Sequence, residues 1–162
     1  DEYELTDAVK IIAAHENVHC IKSSSCLLIT HPWDLLIADQ EIRKNKTLIG
    51  KNSKIYGTIT NSSIGSNCII NGNIKNSIIM NDTIIDKNSI IEDSVIGENV
   101  YFKGTAKSSK NVESIVKGKK VVAVKLGTII SDNVKAEDVY IKPGCKIWPN
   151  KRVKGKVEND IN

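Results

Sequence analysis

The chain has 162 residues, with 23 Lys and Arg against 19 Asp and Glu, and a formal net charge of +4. That length fits one domain, or one domain with part of another. The mild charge and 4% aromatic content argue against a nucleic-acid partner recognised by basic patches and stacking rings, and they leave Ile and Val to build the core.

Residues 1–46 differ from the rest. DEYELTDAVKIIAAHE reads as an amphipathic helix, with Thr6 as N-cap and Leu5, Val9, Ile12 and Ala13 as its apolar stripe. NVHCIK and CLLIT read as short strands. HPWDLLIADQEIRKNK reads as a second helix with Pro32 in its first turn and Trp33 as its anchor in the core. Two helices and two strands bury too little to fold alone. The expectation is the end of a larger α/β domain, packed on the following residues as a cap.

From residue 47 the chain repeats. IGKNSKIYGTITNSS starts at Ile49, IGSNCIINGNIKNSI at Ile64, IMNDTIIDKNSIIEDSV at Ile79 and IGENVYF at Ile96, with starts 15, 15 and 17 residues apart. A second large apolar residue follows six later, at Ile55, Ile70, Ile85 and Phe102. The same step returns at Ile141, Ile147 and Val153. Neither the helical period of 3.6 nor the strand period of 2 fits, whereas a hexapeptide period is a β-helix signature. Each hexad supplies one flat strand and one corner, and three sides close a triangular coil. The first residue points inward. So does the residue four later: Ser53, Ile59, Cys68, Ile74, Thr83, Ser89, Val100, Val134 and Cys145. Asn and Gly are expected at the corners, because they tolerate positive φ. Blocks of 15 imply shortened sides, and coils stack about 4.8 Å apart. The fold expected is mainly β, a left-handed parallel β-helix over 47–162 with about five coils; its handedness follows from likeness to the hexapeptide class.

The stretch KGTAKSSKNVESIVKGKKVVAVK interrupts the hexads as a basic excursion at 103–126. A solvated loop or hairpin is expected there, with Val121, Val122 and Val124 on a coil face. Lys117, Lys119 and Lys120 could concentrate a phosphate. Trp148 is expected at a subunit contact. The four cysteines, Cys20, Cys26, Cys68 and Cys145, form no CxxC pair, and the last two fall at inward positions. No signal peptide or membrane-length apolar run is present. These features predict a reduced, cytoplasmic protein with no membrane partner.

EYELTDAV followed by HPWDLLIADQEI resembles the end of the catalytic domain of archaeal sugar-1-phosphate nucleotidyltransferases, which join it to a left-handed β-helix. That group includes glucose-1-phosphate thymidylyltransferase-like proteins and the bifunctional uridyltransferase/acetyltransferase of N-acetylglucosamine-1-phosphate. VKGKKVVAVKLGTIISDNVK and KPGCKI are similar to its acetyltransferase-type β-helix. The resemblance implies a parent acting on a nucleoside triphosphate and a sugar-1-phosphate with Mg²⁺. It implies a homotrimer or a dimer of trimers, with the β-helix serving oligomerisation or regulation. The Gly-rich triphosphate loop of such enzymes does not occur in these residues, so no catalytic or metal residue is assigned and no cofactor is expected here. Leu28 also stands where the family carries an acidic metal ligand, and leucine offers no oxygen.

An acetyl-coenzyme A-dependent acyltransferase is the alternative, and a purely structural oligomerisation module is a third reading. For the acyltransferase, Lys110 would fall near a basic residue of the coenzyme A site, with Lys117, Lys119 and Lys120 as further phosphate contacts. Three departures count against it. Lys87 stands near the family's catalytic His, Ile90 near a family Tyr, and Ser108 or Ser109 at a family Asn. The coils hold no histidine, since His15, His19 and His31 all precede them. This also disfavours a zinc site of the γ-carbonic anhydrase kind.

Overall fold

The computed structural model describes residues 4–24, 26–116 and 118–162. Helix α1 (Leu5–Ala13) is followed by an irregular segment and then by helix α2 (Asp34–Arg43). The repeats form short strands, grouped here by coil. The first coil is β1 (Leu48–Ile49), β2 (Lys54–Ile55) and β3 (Thr58–Thr60). The second is β4 (Ser63–Ile64), β5 (Ile69–Ile70) and β6 (Asn73–Lys75), and the third is β7 (Ile78–Ile79), β8 (Ile84–Ile85) and β9 (Ile90–Glu92). The fourth coil is β10 (Val95–Ile96) and the bent strand β11 (Tyr101–Ala106). Strands β12 (Ser109–Val116) and β13 (Lys119–Leu126) then leave the stack. The fifth coil is β14 (Ile129–Ile130) and β15 (Lys135–Ile141), and the last is β16 (Lys146–Ile147) and β17 (Arg152–Val157).

All coil strands pair in parallel with the coils above and below. The first face runs β1-β4-β7-β10-β14-β16. The second runs through β2, β5, β8 and the first halves of β11, β15 and β17, and the third through β3, β6, β9 and their second halves. The result is a parallel β-solenoid of about six turns, in keeping with the left-handed β-helix. It has one turn more than expected, because residues 103–106 stay in the fourth coil and the excursion is shorter than 103–126; the early coils save further residues by closing in 15. The saving lies between the second and third faces. Two residues, 56–57 and 71–72, link β2 to β3 and β5 to β6, but 86–89 link β8 to β9. Ile59 and Ile74 are therefore stacked with Ile91 on the third face rather than filling a corner slot like Ser89.

The interior is the stack of aliphatics that the hexads predict. Ile70, Ile85, Ile96, Phe102 and Ile147 are fully buried, and Cys68 and Cys145 are buried thiols. Inward hydroxyls are satisfied by ladders. The Ser77 N–H donates to Ser62 Oγ (3.0 Å), the Ser94 N–H to Ser77 Oγ (3.1 Å) and the Thr128 N–H to Ser94 Oγ (2.9 Å).

The corners divide the labour between Asn and Gly differently from expectation. Positive φ is held by Asn and Asp, among them Asn52, Asn67, Asp82, Asn99 and Asn133, and in the later coils also by Gly104, Gly144 and Gly155, as expected. The Asn and Asp side chains form ladders from coil to coil, as in Asn99 to Asn133 (2.9 Å) and Asn133 to Asn150 (3.1 Å). The coil glycines Gly65 and Gly72 do not have positive φ. They are small because the next coil lies against them: a Cβ on Gly65 would stand 2.7 Å from the Asn81 backbone nitrogen, and one on Gly72 2.7 Å from the Ser89 carbonyl.

Before the coils the expectations fare unevenly. α1 forms, but Glu4 rather than Thr6 is its N-cap, in a capping box with Asp7. Its apolar stripe is unburied, with Leu5 82% and Ile12 50% exposed. NVHCIK and CLLIT form no strand among the described residues, since this chain offers them no neighbouring strand to pair with. α2 forms, with Trp33 as its N-cap residue and buried, but Pro32 precedes the cap instead of lying in the first turn. It lies along the first face instead of over the end of the prism, so Ile49 in the first coil remains half exposed. At the other end Ile161 bridges to Ile147 and covers the last coil. Among the described residues no helix is long and apolar enough to cross a membrane.

Candidate functional site

The excursion is an antiparallel hairpin of β12 and β13, lying on the first face beside α2. Its strands alternate over residues 112–116 and 121–124. Val112 and Ala123 face the prism and are buried, while Val122 and Val124 face outward. Consecutive valines cannot share one face of a strand, so Val121 packs inward and the expected packing of Val122 and Val124 does not occur. Trp33, Val95, Val112, Ala123, Leu126 and Ile129 form a second core that binds α2 and the hairpin to the face.

A groove of about 610 Å³ lies between α2 and β13. One wall is Trp33, Leu36, Ile37 and Gln40; the other is Val122 to Lys125; the floor is the corner ladder of Asn61, Asn76 and Asp93. Two charged residues that the sequence reading passed over organise it. The buried Arg43 guanidinium reaches Asp39 (2.6 Å), the Lys46 carbonyl (2.9 Å) and Asn61 Oδ1 (2.5 Å), while Ser63 donates to the other Asp39 oxygen. That network pins the C-terminal end of α2 to the coil. Asp93 binds both roots of the hairpin. Its carboxylate accepts from Ser108 Oγ (2.7 Å), Lys125 Nζ (2.8 Å) and Asn76 Nδ2 (3.3 Å), and its carbonyl accepts from the Gly127 N–H (2.8 Å).

At the N-terminal end of α2, Asp34 caps the entering chain. It accepts from the Thr30 N–H (2.8 Å), Thr30 Oγ1 (3.0 Å) and the His31 N–H (2.7 Å), and His31 stacks on Trp33 with ring centroids 4.7 Å apart. Burial alone would raise the Asp34 pKa, but these donors outweigh it and hold the group below its ordinary value of 3.8. A depressed folded pKa contributes stability that is present above the unfolded value and lost as pH falls through the folded one. Acid melting curves are therefore expected to fall more steeply below about pH 4 in the wild type than in Asp34→Asn. Equal slopes in the two proteins would contradict the assignment.

Among the described residues, Lys110 does not converge with Lys119 and Lys120. Lys110 lies at the root of the hairpin opposite Lys125, whereas Lys120 lies near the tip opposite Ile115. Five strand residues separate them, roughly 17 Å. Lys119 and Lys120 are exposed, and Lys120 is paired with Glu113 at 3.1 Å. Lys117 falls outside the described residues. Of the acyltransferase positions, Lys87 and Ile90 are neighbours, and Ser108 stands apart from them. Lys87 is at the corner between the second and third faces, Ile90 is on β9, and Ser108 is bonded to Asp93 at the far corner of the third face. Leu28 is exposed at 74%. Among the described residues no group of His, Cys, Asp and Glu is placed to hold a metal ion. The arrangement can dock and brace; its charged groups are committed to structural contacts.

A search of the curated proteins found no match. The family model described as the GMPPB C-terminal domain matches residues 37–161, from the middle of α2 through the last coil. The chain therefore belongs to the GMPPB C-terminal domain family, the C-terminal region of a sugar nucleotidyltransferase.

Proposed function

We propose that this chain is the assembly region of a sugar-1-phosphate nucleotidyltransferase of the archaeal type. The parent joins a nucleoside triphosphate to a sugar-1-phosphate, giving an NDP-sugar and pyrophosphate, at a Mg²⁺-dependent site outside these residues. The β-helix holds copies together as a trimer. The family match over 37–161 carries this reading. Two surfaces support it. The exposed apolar side chains of α1, with Leu28 and Ile29, suit burial against a larger α/β unit. On the second face the outward column of Ile69, Ile84 and Tyr101 is apolar and part-exposed, while the first face is already covered by α2 and the hairpin. Closed three-fold symmetry would bury that column on every copy at once.

Sedimentation equilibrium at ~10 µM should give three times the chain mass, or six times if trimers pair. Ile84→Glu should return it to single chains with the fold intact. A single-chain mass for the wild type at that concentration would overturn the assembly role. For the acetyl-coenzyme A alternative, Lys110 and Lys120 stand roughly 17 Å apart, too far to share one phosphate, so calorimetry with coenzyme A should show no saturable heat.

A further inference from the structure

The hairpin is a sheet of only two strands, so β13 hydrogen-bonds on one side, to β12. In an antiparallel pair the backbone groups of alternate residues point away from the partner. β12 lies toward Lys142 to Lys146 of the last link and coil, since a Cβ on Gly144 would press against Val112. The free edge of β13 therefore looks the other way, into the groove facing α2, and Val122 to Lys125 form that wall.

Proteins usually blunt such an edge with charge in its middle. Here the middle is Val121, Val122, Ala123 and Val124, and the lysines stand at its ends, at Lys119, Lys120 and Lys125. Val124 is 82% exposed and, across the groove, Ile37 is 53% exposed. The side chains of the floor are mutually satisfied, with Asn61 bonded to Asn76 and Asn76 to Asp93, and no buried side-chain polar atom among the described residues lacks a partner. A polar small molecule would find few unpaired groups there, whereas a β-strand would find a complete row of them. The ends of the edge carry lysines. Lys119 has no ion-pair partner among the described residues, Lys120 and Lys125 are paired with Glu113 and Asp93, and Lys110, which has no ion-pair partner among the described residues, stands on β12 opposite Lys125.

We propose that the outer edge of β13 is a strand-addition site. An extended peptide of a partner protein, aliphatic at alternate positions and acidic at its ends, lies in the groove as a third strand along Val121 to Lys125. Main-chain hydrogen bonds to β13 would supply the affinity and the apolar walls the selectivity. A second copy of the hairpin fits less well, because pairing β13 with β13 would bring lysine-rich ends together.

The test is a phage-displayed library of random peptides of about eight residues, selected against the folded chain. Enriched peptides should alternate aliphatic residues between Asp or Glu ends. A synthetic peptide from that set should shift the backbone amide resonances of Val121 to Lys125 and bind more weakly as salt rises. Methylating its alternate backbone nitrogens should weaken binding at least ~10-fold. The double variant Val122→Lys/Val124→Lys alters only outward side chains. It should melt at the wild-type temperature and lose binding to a similar degree. No enrichment, enrichment without acidic ends, tolerance of N-methylation, or amide shifts elsewhere would each overturn the proposal. Self-association that protects the same amides would assign the edge to a second copy and overturn it too.

Discussion

Truncation of Phe102 to alanine is expected to lower the unfolding free energy by ~3–5 kcal/mol, the largest effect of any single side chain here. Phe102 is fully buried in the second-face column Ile55, Ile70, Ile85, Phe102, Ala136 and Val153. It is the one phenylalanine in the chain, and the residue stacked directly on it is the fully buried Ala136. A large ring beside a methyl fills the space that two isoleucines fill elsewhere in the column. The two positions should therefore be coupled. Ala136→Ile alone should cost ~1–3 kcal/mol by overpacking. The pair Phe102→Ile/Ala136→Ile should cost less than the sum of its single changes by about 1 kcal/mol or more. Urea midpoints at unchanged slope measure all four proteins. Additive losses would mean that the ring and the methyl do not share one space.

Asp93→Ala should cost about 3 kcal/mol and act on the hairpin in particular. Asp93 has φ +45, a conformation that strains alanine by about 1–2 kcal/mol. Its carboxylate also makes charge-assisted contacts to Ser108 and Lys125, each at a root of the hairpin, and such bonds contribute ~1.5–3 kcal/mol when poorly solvated. Lys125 is partly exposed, which reduces its share. Asp93→Asn keeps the left-handed tolerance and an acceptor oxygen, so it should cost ~1 kcal/mol or less. Hydrogen exchange separates the two. Amides of Val112 and Ala123 should exchange faster in Asp93→Ala while those of Ile70 and Ile85 do not change. Unchanged hairpin protection would show that the second core alone holds β12 and β13 down.

The solenoid was legible because its code is local. A strand and a corner fit within six residues, so Ile64, Ile70, Ile79 and Ile85 announce inward positions without reference to distant partners, and each is buried. The second helix was legible for the same reason: Pro32 and the run from Asp34 to Arg43 carry their own start and stop. Strand type in the excursion was open, and its face was misread, because alternation decides between Val121 and Val122 only once the register against β12 is known. Gly65 and Gly72 were misread because tolerance of left-handed φ is a local property, while the approach of Asn81 to Gly65 comes from the next coil. The segments NVHCIK and CLLIT carry strand propensity, but a strand exists only where another pairs with it.

Arg43 and Asp93 mark the boundary most clearly. In sequence each is one charged residue at the end of a helix or strand. Arg43 becomes an anchor through Asn61, 18 residues on, and Asp93 becomes a clamp through Ser108 and Lys125, 15 and 32 residues on. By itself, then, the sequence determined the path of the backbone, the inward columns and the corners, since steric preference and hydrophobic period act within one hexad. Only the tertiary structure decided which face α2 and the hairpin cover, where the groove opens and which edge of β13 is free. Those depend on how many residues each coil takes to close, and that number sets which distant side chains meet.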